Sequence, residues 1–434
     1  QVLWPSPLGA LASSSVPLQR REQLEAMGCC HSGAVAAFQP AETCPHAEAS
    51  QPAAAGPHAE AACPVPLTAW SEPAAAWPQP EATGPAHLTA WEKLGGAKLE
   101  PLLEHIDLVD LAFIVENAEA GRPVPRWQDV PSSARINQDS LRRIRTCIHV
   151  NFALSVLVLS YPWLDPEHPD KQLATMKRLL PCLKAFLQGA RRLGNNCTVG
   201  LMMDYPCLPQ KNTNGEDDRS PEEKARFKRG LATINQWYVH PHTTVLVYDV
   251  EMPGPDSGHA NVRRHSQRGW CTFELCASTL VKDRNCFWSL LGYECGGGKE
   301  THWKAMIHAK QRAVRPPPMR PDAFGDFIRH GVAMGDVAFT AEADIEFVIQ
   351  QYADAFHSAF AEVTRLTYRT LLWKDDEMQK LARTLAYARE RGLLTKCVSI
   401  DLKGNRYTEV GKNTVQEAME GTNIAIGFDN RRGA

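Results

Sequence analysis

Three short apolar runs constrain this chain most: residues 155–160 (SVLVLS), 198–204 (TVGLMMD) and 243–250 (TTVLVYDV). Their apolar residues do not alternate with polar ones, the pattern of strands covered on both faces in a parallel sheet. YPWLDPEHPD follows the first run and YPCLPQ the second, and proline cannot continue a strand ladder. Between the runs the period becomes helical. Residues 173–193 carry Met176, Leu179, Leu180, Leu183, Phe186 and Leu187 on one stripe. Residues 221–238 open on Pro221, which suits the first turn of a helix. After the third run and an intervening loop, Trp270, Phe273, Ala277, Leu280 and Val281 recur at helical spacing. Strand and helix alternate three times, which predicts an α/β fold built on a doubly wound parallel sheet.

Ligands of such sheets bind outside the carboxyl ends of the strands, where the strand order reverses. Asp165, Asp204 and Asp249 fall at or just after strand ends, although aspartate also serves ordinary turns. Glu274 opens the third helix, four residues after Trp270 and three before Ala277. It therefore sits beside the apolar stripe, where a carboxylate must be paired, neutralised or placed at the mouth of a cleft. Pairing with Arg268, or the favourable field at the start of a helix, explains it equally well at this level.

The flanks differ in character. The first methionine is Met27, and MGCCHS follows from it. Gly28 with Ser32 fits an N-myristoylation signal, and Cys29 and Cys30 fit S-palmitoylation. One myristoyl chain binds membranes only marginally, and no Lys or Arg lies between Gly28 and Trp91 to help it. A chance match is the competing explanation. Residues 1–26 then read as a leader upstream of the protein proper. Residues 27–98 are rich in Ala and Pro and repeat PHAEA and LTAW. Such a segment buries too little apolar surface to order itself, so it reads as a disordered tether, with Trp70, Trp77 and Trp91 as docking points. Residues 99–149 read as a helical connector, or an edge of the next domain, whose first helix spans 99–120. The α/β domain takes 150–370, closed by an amphipathic helix through Ile345, Val348, Tyr352 and Phe356. A tail follows over 371–434.

Several classes are disfavoured. A net charge of −2 argues against nucleic-acid binding. Thirteen cysteines without a CxxC pair suit a reducing compartment rather than a disulfide or zinc framework. His240, His242, His259 and His265 read as surface histidines, so no metal is expected. CGGGKE, at 295–300, lacks the spacing of a phosphate loop. RPPPMRP, at 315–321, reads as a rigid linker. No apolar run is long enough to span a bilayer.

Three motifs in order resemble Toll/interleukin-1 receptor (TIR) domains over about residues 150–285. SYPWLD, from Ser160 through Tyr161 to Asp165, resembles the S-Y-x-x-x-D that ends their first strand. Asp204 with Leu208 resembles the D-x-x-x-L after their second, and Trp270 to Leu275 (WCTFEL) the W-C-x-x-E-L of their third helix. The resemblance implies a flavodoxin-like sheet and, in the NAD-cleaving members, a catalytic glutamate that maps to Glu274. It implies a substrate site around Ser160, Tyr161, Asp165, Asp204 and Trp270, with NAD as substrate and no bound cofactor. The sequence departs from the pattern in three places: PQK replaces the glycine after Leu208, Pro162 enters the first loop, and residues 251–267 are inserted. In the tail, Cys397, Ile400, Leu402 and Asn405 are similar to one leucine-rich repeat of ribonuclease-inhibitor type. Gly411, Val415, Ala418 and Met419 match its helix, and Leu381 with Leu385 the helix before it. Residues 423–430 look out of register with the repeat.

The expectation is an intracellular signalling or defence protein that hydrolyses NAD at the nicotinamide–ribose bond. The alternative is a non-enzymatic TIR-like and leucine-rich-repeat adaptor, and an unrelated nucleotide-binding sheet protein is a third class. Self-association, other signalling proteins and an acyl-anchored membrane face are the implied partners, in the cytoplasm.

Overall fold

Six strands make one sheet in this computed structural model, which describes residues 89–142, 153–193, 198–295 and 315–429. In chain order they are β1 (Leu108–Asp110), β2 (Arg135–Ile136), β3 (Val156–Ser160), β4 (Gly200–Met202), β5 (Thr244–Val247) and β6 (Phe287–Ser289). In space they run β2-β1-β4-β3-β5-β6. β4, β3, β5 and β6 are parallel, with Val158 level with both Met202 and Val245. Every residue of these four strands is buried. That is why the sequence shows unbroken apolar runs instead of alternation.

The helix Met176–Leu193 carries the chain from β3 to β4 on one side, and the helices Pro221–Thr233 and Asn235–Val239 return it past β3 to β5. The helix Gly269–Ser278 continues from β5 outward to β6. Right-handed crossovers put connections of opposite direction on opposite faces. Accordingly Met176–Leu193 packs with Leu111–Glu119, while Gly269–Ser278 packs with Asn235–Val239 and Ala343–Glu362. The order reverses between β3 and β5, so a crevice opens at their carboxyl ends. The start at Pro221 is set by a reciprocal cap: Ser220 accepts from Glu223 N and Glu223 accepts from Ser220 N.

The connector departs from the helix expected over residues 99–120. A 3-10 helix covers Gly96–Glu104, β1 follows, and only then comes the helix Leu111–Glu119. Asp110 caps that helix by accepting from Ala112 N at 2.9 Å. Val109 pairs antiparallel with Leu201 on β4, so pairing with an otherwise open strand edge outweighs local helix preference. β1 and β2 extend the six-stranded sheet, so the described residues 108–136 form its edge. Trp91, expected in the tether, is 2% exposed, and its indole donates to Glu100 at 3.0 Å. The other tether features, Gly28, Cys29, Cys30, Trp70 and Trp77, lie outside the described residues. Among the described residues no helix is long and apolar enough to cross a membrane.

The tail forms a second, three-stranded parallel sheet: β7 (Arg365–Thr367), β8 (Ser399–Asp401) and β9 (Ala425–Gly427). Leu366, Ile400 and Ile426 are level across it, which corrects the expectation that residues 423–430 are out of register. Backbone bonds set the pairing, Ala425 N donating to Val398 O and Leu402 N to Gly427 O, and Ile426 with Phe428 occupies the apolar positions. Asn405 ties the first two turns together. Its Oδ1 accepts from Leu371 N and Trp373 N, and its Nδ2 donates to Tyr368 O and Leu402 O. This sheet is joined to the α/β part: Tyr368 donates to Leu280 O, Trp373 to Arg315 O and Thr384 to Pro318 O.

Candidate functional site

Glu274 reaches the crevice because of how its helix begins. Gly269 lies against Phe339 so closely that a Cβ would sit 1.9 Å from the ring, so any larger residue would have to displace that ring. Its N–H donates to Ala338 O at 2.9 Å. Arg268, just before, is 8% exposed and donates to the carbonyls of Trp163, Asn261 and Arg263. It fastens the loop after β3 to the 251–267 insertion and makes no bond to Glu274. The Arg268–Glu274 pairing that the sequence left open does not form.

Glu274 instead meets Ser160, the last residue of β3. The Ser160 hydroxyl donates to Glu274 Oε2 at 2.5 Å and lies 2.7 Å from His265 Nε2. Beside the carboxyl opens a cleft of about 360 Å³, within the size range of small-molecule sites. Tyr161, Trp163, Asp165, Asp204 and Trp270 line it together with Glu274. Glu274 and Asp204 are both half-buried, but what they meet outside the protein is this recess rather than open solvent.

Burial therefore dominates their ionisation. It lifts Glu274 to about 8, the charge of Asp204 adds to the rise, and the hydroxyls of Ser160 and Tyr238 oppose it. It lifts Asp204 to about 6 against hydrogen bonds from the Trp163 indole and Tyr205 N. His265 is pulled down to about 3 by burial and then by Arg268, so it is neutral. Since neutral imidazole carries one N–H, Ser160 can donate to Glu274 while accepting from His265 Nε2, and this fixes the tautomer.

His265, Cys271 and Glu274 place their donor atoms within 4.8 Å of one another. The imidazole and the carboxyl are already joined through Ser160, and burial holds the Cys271 thiol protonated. The cluster fits a hydrogen-bonded acid better than an ion.

Sequence-selected residues divide by role. Glu274, Asp204 and Trp270 line the cleft; Trp270 is oriented by donating to Asp344 Oδ2 at 3.0 Å. Ser160 lies behind Glu274 rather than on the lining. Tyr161 borders the cleft, but its hydroxyl is tied to Asp170 and Thr175 and its ring packs edge-on against Tyr248. Asp165 anchors the insertion, accepting from His259 Nδ1 at 3.2 Å and Ala260 N at 3.0 Å. Asp249 lies away from the cleft and caps the turn after β6 by accepting from Ser289 and Leu291 N. Trp163, Tyr238 and His265 escaped sequence reasoning. His240 and His265, expected at the surface, are 7% and 2% exposed, and no local pattern distinguishes them. No family model, no curated protein and no solved structure matches this chain.

Proposed function

We propose that this chain hydrolyses NAD at the nicotinamide–ribose bond, in a TIR-like domain that serves intracellular signalling or defence. One observation carries the reading: Glu274 opens onto a cleft at the carboxyl ends of the strands, ionises near 8, and has no cation paired with it among the described residues. The order of the four parallel strands supports a flavodoxin-like arrangement, with the cleft at its reversal point.

The nicotinamide ring of NAD is a cation. Trp163, Trp270 and Phe339 line the cleft and offer aromatic faces that attract such a ring. Its charge favours the ionised form of Glu274, so substrate binding deprotonates the acid. The carboxylate then stabilises the oxocarbenium-like ribose as nicotinamide departs. Ser160 holds Glu274 in place by donating to it. The tail, with Asn405 bridging its first two turns, supports a leucine-rich-repeat-like unit, which we assign to contacts with other signalling proteins or further copies of the chain. Acylation at Gly28, Cys29 and Cys30 would place the whole on the inner face of a membrane.

The test is nicotinamide release from NAD by the full chain and by Glu274→Gln, with circular dichroism to monitor the fold. The variant should lose activity by about 100-fold or more. A wild-type chain that releases no nicotinamide would overturn the enzymatic reading and leave the adaptor.

A further inference from the structure

We propose that Asp204 is a second catalytic carboxylate of this cleft, the general base that takes the proton of the attacking water. The inference rests on the nicotinamide–ribose reading above. Val158 of β3 pairs with Met202 of β4. Continuing that register by two residues brings Asp204 level with Ser160, the residue that holds Glu274. Adjacent strands lie about 4.8 Å apart. Two acids thus enter one recess from neighbouring strand ends, Asp204 directly and Glu274 through the helix that Ser160 touches.

The oxygens of Asp204 are not equivalent. Oδ1 accepts from the Trp163 indole at 3.2 Å and from Tyr205 N at 2.8 Å, which fixes the carboxyl plane. Oδ2 accepts no hydrogen bond from the described residues, and the side chain lines the cleft. That oxygen is available to a water. Asp204 also ionises near 6, below Glu274 near 8, so it is the anion of the pair at neutral pH. Carboxyl pairs whose ionisations are pushed apart divide acid–base labour in this way.

The bond between ribose C1′ and the nicotinamide nitrogen breaks, and its electron pair leaves with nicotinamide, which becomes neutral. Glu274 stabilises the cationic ribose. Water oxygen forms the new bond to C1′, and its proton passes to Asp204 Oδ2 and then to solvent. NAD and water give ADP-ribose, nicotinamide and one proton.

Asp204→Asn tests this in the full chain, because an asparagine oxygen can still accept from Trp163 and Tyr205. Azide serves as a second nucleophile that attacks C1′ without surrendering a proton, giving ADP-ribosyl azide. Hydrolysis by Asp204→Asn should fall by about 100-fold or more, while azide product forms at a rate close to that of the wild type. Glu274→Gln should lose both reactions. Unchanged hydrolysis in Asp204→Asn overturns the base, and so does parallel loss of water and azide reactions. In either case activity that still depends on Glu274 leaves the parent reading standing. A wild type inert toward NAD removes both.

Discussion

On the proposed NAD-cleaving function, replacing Ser160 by alanine should move the pH dependence of cleavage rather than abolish it. The Ser160 hydroxyl donates to Glu274 at 2.5 Å, and it is the first hydrogen bond opposing the rise of Glu274 to about 8. A hydrogen bond to a charged group contributes about 1.5–3 kcal/mol. At 1.36 kcal/mol per pH unit, its loss raises Glu274 by about one to two units. Free wild-type protein at pH 7 has roughly a tenth of Glu274 ionised. If that form reacts, kcat/KM at pH 7 drops about 10- to 100-fold in the variant, while the plateau at high pH is kept. The other groups around Glu274 do not blur this limb. His265 lies near 3 and Asp204 near 6, and Tyr238 and Cys271 are raised well above their ordinary values. The assay is kcat/KM for nicotinamide release from pH 6 to 10. A vertical drop with an unmoved midpoint would show that Ser160 merely fills space, and the reasoning about Glu274 would fail.

Three further outcomes follow from buried polar groups. Glu274 is raised above its ordinary carboxyl value of 4.5 to about 8, so the unfolded chain loses this proton first and the contribution to stability declines as pH rises from 4.5 through 8. Glu274→Gln should therefore melt like wild type near pH 4.5 and about 5 °C higher near pH 8.5; an equal shift at both values would contradict the linkage. Lys282 is fully buried and donates to His240 O at 2.5 Å, Thr243 O at 2.8 Å and Thr243 Oγ1 at 2.7 Å. Lys282→Met strands those acceptors and should cost about 2–4 kcal/mol in urea unfolding, and a loss below about 1 kcal/mol would mean the carbonyls find other donors. Asn405→Ala removes four hydrogen bonds at the first two turns of the tail. It should cost about 2–3 kcal/mol and raise amide exchange at Leu371 and Trp373 first; unaltered exchange there would argue that the asparagine does not hold the turns.

Much of the architecture was legible without coordinates because burial on both faces leaves a local mark. β3, β4 and β5 appear as unalternated apolar runs, and the helical phase of residues 269–278 set Glu274 beside the core. β4 is as short, but it sits in the longer unalternated run 198–204, whereas β1 lies inside a stretch with a helical stripe and β2 and β6 stand in no such run; these three become strands where a neighbouring edge offers bonds. The cluster at the site was hidden for a different reason. Ser160 and His265 are 105 residues apart, and Ser160 and Glu274 are 114 apart. Periodicity tells which face of an element is covered, and so it found the acid. What covers that face, whether a hydroxyl, an arginine or a cavity, depends on side chains supplied by distant elements. Tertiary structure alone turned Arg268 toward backbone carbonyls and Ser160 toward Glu274. An acid that the sequence left free to be a salt-bridge partner thus becomes one held near neutrality at a cleft.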